Sequence, residues 1–179
     1  MVKLSANFEL SEFTEDKDLQ MEVSPNVLQL ELVHSLVDNI LQPLRDEMKT
    51  GIFVTSGMRS KEMIEELKSR GYAVSAKTDH SYADPEVYVW GRGAGDIVVA
   101  DVSKLQQAYL WLKNTLGPKN VIGQIIYYRP EKGKSGFIHV SNSWRVFADA
   151  LVKVKGNEKL PYLVRKDGVY SIFNSERDF

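Results

Sequence analysis

The chain contains no cysteine. That absence excludes a disulfide framework, a thiolate nucleophile and a Cys-type structural zinc site. Charge of one sign is missing as well: 23 Lys and Arg stand against 24 Asp and Glu, for a net charge of -1. With no basic excess to release counterions from phosphate, the composition gives no reason to expect a nucleic-acid partner. No apolar run approaches the roughly 20 residues that span a bilayer, so no membrane association is expected. The first ten residues, MVKLSANFEL, lack the apolar stretch of a secretory signal. The expectation is a protein made in the cytoplasm without a signal peptide. Histidine is scarce, with only His34, His80 and His139.

What is present suits one globular domain. A chain of 179 residues, 43% hydrophobic, can bury roughly 70% of its unfolded surface and needs no covalent staple. Leu4 to Phe13 reads as an extended lead-in. Ser24-Pro25 offers a helix cap and a first-turn proline. Val33, Val37, Ile40, Leu41, Leu44 and Met48 then mark one face of an amphipathic helix, with Pro43 inside it as a kink. A short strand, Ile52 to Thr55, precedes a second helix over Lys61 to Arg70, capped by Ser60 and stopped by Gly71. Asp96 opens a strand through Ala100, and Asp101 caps a third helix carrying Leu105, Ala108, Tyr109, Leu112 and Leu116. Val121 to Tyr128 and Gly136 to Ser141 read as a hairpin around a polar turn. From Trp144 onward the alternation of Val146, Ala148, Ala150, Val152 and Val154 predicts a strand. Tyr162 to Arg165 and Val169 to Phe173 predict a further hairpin. The expected class is α+β: a mostly antiparallel sheet with three helices in residues 1–145, and a β-rich C-terminal extension over 146–179.

The stretch Thr78 to Ile97 is the centre of interest. It holds His80 at its start and, after Gly-Arg-Gly-Ala-Gly, the carboxylate Asp96. A catalytic zinc takes three protein ligands and keeps a fourth position open. His80, Asp96 and His139, the last in the strand-like GFIHVS, would meet that requirement. Alternation places Phe137, His139 and Ser141 on one strand face and Ile138 and Val140 on the other, toward the core. His34, on the first helix, reads as an ordinary packed histidine. Tyr82, Tyr88 and Trp90 fit either a cleft lining or a loop packed on its own domain.

Taken together, several short elements resemble the D-Ala-D-Ala carboxypeptidase and phage endolysin family of zinc peptidases, which share the hedgehog and DD-peptidase fold. They are Asn7-Phe8-Glu9-Leu10-Ser11-Glu12-Phe13, Leu41-Gln42-Pro43-Leu44-Arg45, Val54-Thr55-Ser56-Gly57-Met58-Arg59-Ser60, Thr78-Asp79-His80, Gly93-Ala94-Gly95-Asp96-Ile97 and Phe137-Ile138-His139-Val140-Ser141. The resemblance implies that His80, Asp96 and His139 bind zinc. It further implies that Arg59 acts on the substrate carbonyl or oxyanion, with Ser56 beside it in substrate binding. The implied activity is a peptidoglycan peptidase, a D,D-carboxypeptidase or an L-Ala-D-Glu type endopeptidase, phage encoded and either carried in the virion or released to the wall at lysis. The implied partner is a peptidoglycan peptide.

Two departures from that family accompany the resemblance. His80 and Asp96 stand 16 positions apart (96 − 80), which leaves about nine extra residues around Tyr82 to Trp90 to bulge as a loop. The acidic residue that many members carry three positions before the last histidine is Gly136 here, and glycine accepts no proton. Glu131, Asp79, Asp84 and Glu86 are the acidic groups open to that role. The alternative expectation is a virion or assembly protein that keeps the fold without turnover, contacting other virion proteins through its C-terminal hairpin.

Overall fold

The computed structural model describes residues 2–75, 77–132 and 135–154, and the backbone of 163–166 and 169–172. The lead-in is folded rather than extended. Leu4 N–H donates to the Phe8 carbonyl at 3.0 Å, Lys3 bridges Glu9, and a short helix α1 (Ser11–Thr14) follows. Burial of Leu4, Phe8 and Phe13 drives that turn. A two-residue pair, β1 (Glu15–Asp16) with β2 (Met21–Glu22), leads to the first long helix.

That helix starts two residues later than its sequence suggests. Its cap is Asn26, not Ser24: Asn26 Oδ1 accepts from Gln29 N–H at 2.9 Å and Gln29 Oε1 accepts from Asn26 N–H at 2.9 Å. This reciprocal box satisfies two otherwise unpaired donors at once. From there α2 (Val27–Leu36) runs through a π-helical turn at Val37–Leu41 into α3 (Gln42–Met48). Pro43 has no N–H to donate, and the wider turn before it accommodates the missing bond.

One antiparallel sheet follows, built from β3 (Ile52–Ser56), β4 (Ala94–Val99), β5 (Ile122–Tyr128) and β6 (Phe137–Asn142) in the order β3-β4-β6-β5. Between its strands lie α4 (Lys61–Ser69), capped by Ser60 as expected, and α5 (Leu105–Trp111), which continues through a π-helical turn to Leu116. Strand alternation gives the sheet two faces. Ile97, Val99, Ile138 and Val140 join Leu32, Leu36, Ile40, Leu44, Leu105, Ala108 and Leu112 in one core. Asp96 and His139 occupy the opposite face.

The C-terminal stretch requires a correction. Residues Trp144–Val154 form a helix, α6, not a strand. Ser143 Oγ accepts from Val146 N–H and its carbonyl accepts from Phe147 N–H at 3.0 Å, which starts the helix. Val146, Phe147, Ala150 and Val154 are buried at spacings of one, three and four, whereas Val152 is 70% exposed. This is a helical face, and it packs on α2. Residues 146–154 of the expected β-rich extension therefore belong to the core. Further on, β7 (Leu163–Lys166) and β8 (Val169–Ile172) pair antiparallel, as the predicted hairpin requires. The α+β class holds, with one more long helix than expected. Among the described residues no helix is long and apolar enough to cross a membrane.

Candidate metal centre

Three strands and one turn converge on the sheet face away from the helices. His80 sits in a 3-10 turn, Asp79–Ser81, whose cap is the Thr78 hydroxyl accepting from His80 N–H at 3.2 Å. Two contacts from outside the turn hold His80 itself. Arg59 N–H donates to the His80 carbonyl at 2.9 Å, and His80 Nδ1 lies 2.6 Å from the Gly57 carbonyl oxygen. A carbonyl only accepts, so Nδ1 carries the proton and Nε2 offers a bare lone pair.

Asp96 lies within β4 rather than at its start, and the sheet register sets it directly opposite His139 of β6. His139 Nδ1 is 2.8 Å from Asp96 Oδ1, His80 Nε2 is 3.3 Å from the same oxygen, and the two ring nitrogens are 3.3 Å apart. Ligands about 2.0–2.1 Å from a tetrahedral zinc stand roughly 3.3 Å from one another. Two of the three separations match that edge; the third is a hydrogen bond. Two imidazole nitrogens and a carboxylate oxygen are the donor types such an ion takes, so the residues fit it. Among the described residues this is the one group of three such side chains close enough to share an ion.

Burial pushes the Asp96 carboxyl up, but the hydrogen bond it accepts from His139 outweighs that and holds the group far below the usual carboxylate range. The carboxylate is therefore ionised and ready to ligate. His139 Nε2 is buried without a hydrogen-bond partner among the described residues, so its ring is held by strand β6 and by Asp96 rather than by a second acceptor.

Arg59 and Ser56 meet at the rim. Arg59 Nε and Nη2 both donate to Ser56 Oγ, at 3.2 and 2.9 Å, and Nη2 reaches Asp96 Oδ2 at 3.4 Å. Nη1 has no partner among the described residues. Above the cluster opens a cleft of about 610 Å³, lined among others by Arg59, Lys77, Tyr88, Trp90, Tyr128 and Trp144. Tyr88 and Trp90 thus line it. Tyr82 does not: it is fully buried and its hydroxyl donates to the Ala94 carbonyl at 2.6 Å. His34 is half-buried on α2, away from the cluster.

Of the four acidic groups that could replace the absent one at Gly136, only Asp79 lines the cleft. Its carboxylate is already taken by Arg92, whose Nε and Nη2 donate at 3.1 and 2.7 Å. Burial raises the Asp79 carboxyl and Arg92 more than offsets that, so the group is held below its ordinary value. Nor can position 136 take an acid in this backbone. A Cβ there would come within 2.6 Å of Pro130 Cδ and 2.7 Å of the Tyr128 carbonyl oxygen.

The Asp79–Arg92 pair has no counterpart in the sequence reading. Its partners are thirteen positions apart in an aperiodic loop, and only the Gly-Arg-Gly context hinted that Arg92 is closely packed. No family model, curated protein or solved structure matches this chain.

Proposed function

We propose that the chain is a zinc-dependent peptidase acting on the peptide of bacterial peptidoglycan, as a D,D-carboxypeptidase or an L-Ala-D-Glu type endopeptidase, encoded by a phage. The observation that carries the metal is the convergence of His80 Nε2, Asp96 Oδ1 and His139 Nδ1 beneath an open cleft. The substrate class and the DD-peptidase-like fold rest on the ordered short elements from Asn7 to Ser141.

His80, Asp96 and His139 would hold the ion, which when bound supplies a Lewis acid for a carbonyl and a low-pKa water. The chain's own part is orientation and charge. The Gly57 carbonyl fixes the His80 tautomer, Asp96 stays ionised, and the β4–β6 register sets His139. Arg59, braced by Ser56 and Asp96, has Nη1 without a partner among the described residues, open to donate to the oxygen that gains charge as a peptide carbonyl is attacked. Tyr88, Trp90 and Tyr128 give the cleft walls apolar area for the rest of the substrate.

A second reading, a virion or assembly protein without turnover, is favoured by one observation. No acid among the described cleft residues is free to take a proton: position 136 has no room for a side chain, and Asp79 is bound to Arg92. Digestion of purified peptidoglycan by the zinc-loaded chain, with the His139→Ala variant as control, separates the two. Release of free D-alanine or of cleaved stem peptides supports the peptidase. Stoichiometric zinc with no cleavage supports the second reading.

A further inference from the structure

We infer that Asp79 and Arg92 form a latch that sets His80 against Asp96, so that the ion affinity of the cluster depends on a pair that supplies no ligand. The inference rests on the metal-binding reading above and adds positioning residues to it. The problem the latch solves is distance along the chain. His80 and Asp96 are separated by a long loop whose interior has no strand pairing, and a free loop of that length would leave the two ligands uncorrelated.

The structure closes the loop at its base. Arg92 donates to the Asp79 carboxylate three times: from its backbone N–H at 3.0 Å, from Nε at 3.1 Å and from Nη2 at 2.7 Å. Gly93 N–H donates to the Asp79 carbonyl at 3.0 Å. Asp79 immediately precedes His80, and Gly93 immediately precedes β4, which carries Asp96. The bonded path from one ligand to the other therefore runs through four backbone positions at the base instead of around the loop.

Arg92 is itself held on every side. Its guanidinium carbon lies 5.0 Å from the centroid of the Trp144 ring, and its carbonyl accepts from Asn142 Nδ2 at 3.0 Å. Asn142 Nδ2 also donates to the Leu32 carbonyl at 2.9 Å, and Asn142 N–H donates to the Gly93 carbonyl at 3.0 Å, which ties the latch to the helix layer. Gly123 leaves the space the guanidinium occupies, since a Cβ there would stand 2.4 Å from Arg92 Nη1. Gly93 adopts φ +85, a conformation that lets the chain turn from the latch into β4. A bidentate, stacked guanidinium in such a socket is not replaceable by an ammonium at equal strength.

The test uses the full chain with Asp79→Asn, Arg92→Gln, the double variant and Arg92→Lys, each checked for folding by circular dichroism. Zinc affinity is read by competition with a chromophoric chelator, and the His80 ring tautomer in metal-free protein by nitrogen-proton NMR correlation. Folded single variants should bind zinc about 10–100-fold more weakly, the range seen when groups that orient metal ligands are lost. The double variant should be no weaker than the product of the singles, and Arg92→Lys should recover part of the loss. In metal-free protein the singles should lose the fixed Nδ1–H tautomer that the wild type shows. Wild-type affinity together with an unchanged tautomer in folded Asp79→Asn and Arg92→Gln overturns the latch. Should the singles fail to fold, wild-type zinc affinity and tautomer in Arg92→Lys overturn it equally. A wild type that binds no zinc refutes the metal reading, and the tautomer then decides the latch alone.

Discussion

Asp96 and His139 face each other across β4 and β6, 43 positions apart in the chain and 2.8 Å apart at Oδ1 and Nδ1. The sheet's hydrogen-bond register enforces this meeting, because a slip of one residue in either strand would send that strand's ligand to the core face. The remaining member, His80, arrives on a turn and needs separate fixing by Gly57, Arg59 and the latch at Asp79. Two ligands are thus set by a strand pair and one by a loop, which makes His80 the position most sensitive to changes outside the cluster.

Removing a ligand should abolish tight ion binding without unfolding the protein. For His139→Ala and Asp96→Asn, zinc affinity by chelator competition should fall by at least about 100-fold, beyond the loss from an orienting group alone. Both side chains lie outside the apolar core, so thermal unfolding of the metal-free variants should remain cooperative. Unchanged affinity in either variant would place the ion elsewhere.

Restoring an acid at position 136 should destabilise the chain and not activate it. Gly136→Glu forces a Cβ against Pro130 and the Tyr128 carbonyl, a clash expected to cost about 1–3 kcal/mol. Urea unfolding reads the loss directly. A stable, more active Gly136→Glu variant would show that the hairpin yields at that point.

Helix α6 should behave as core. Phe147 is fully buried, so Phe147→Ala should cost about 3–5 kcal/mol in urea unfolding. An effect near zero would return residues 146–154 to an appendage.

The first long helix should depend on Asn26 and not on Ser24. Asn26→Ala removes a reciprocal cap and should cost about 1 kcal/mol, whereas Ser24→Ala should be close to neutral. Equal effects at the two positions would contradict the observed helix start.

Much of the site was legible because its residues sit in regular elements. Strand alternation put His139 opposite the core face, and the Ser60 cap and Gly71 stop framed α4. Where the reading failed, a local pattern was ambiguous. Val146, Ala148, Ala150, Val152 and Val154 alternate like a strand, yet Phe147, at the wrong parity, is buried and Val152 is exposed. Ser24-Pro25 looked like a cap because both residue types suit one, but the side-chain exchange between Asn26 and Gln29 is stronger than a single serine. The sequence left Tyr82 open between cleft lining and a packed loop, because composition alone cannot tell an exposed loop aromatic from one that turns inward. The Asp79–Arg92 pair left no periodic signal, since loop-closing contacts follow no repeat.

The most direct test of the account is anomalous scattering at the zinc edge from crystals of the full chain grown with zinc. The account predicts one strong peak at about 2.0–2.2 Å from His80 Nε2, Asp96 Oδ1 and His139 Nδ1 together. No peak at that point, or a peak bound by other residues, would contradict it.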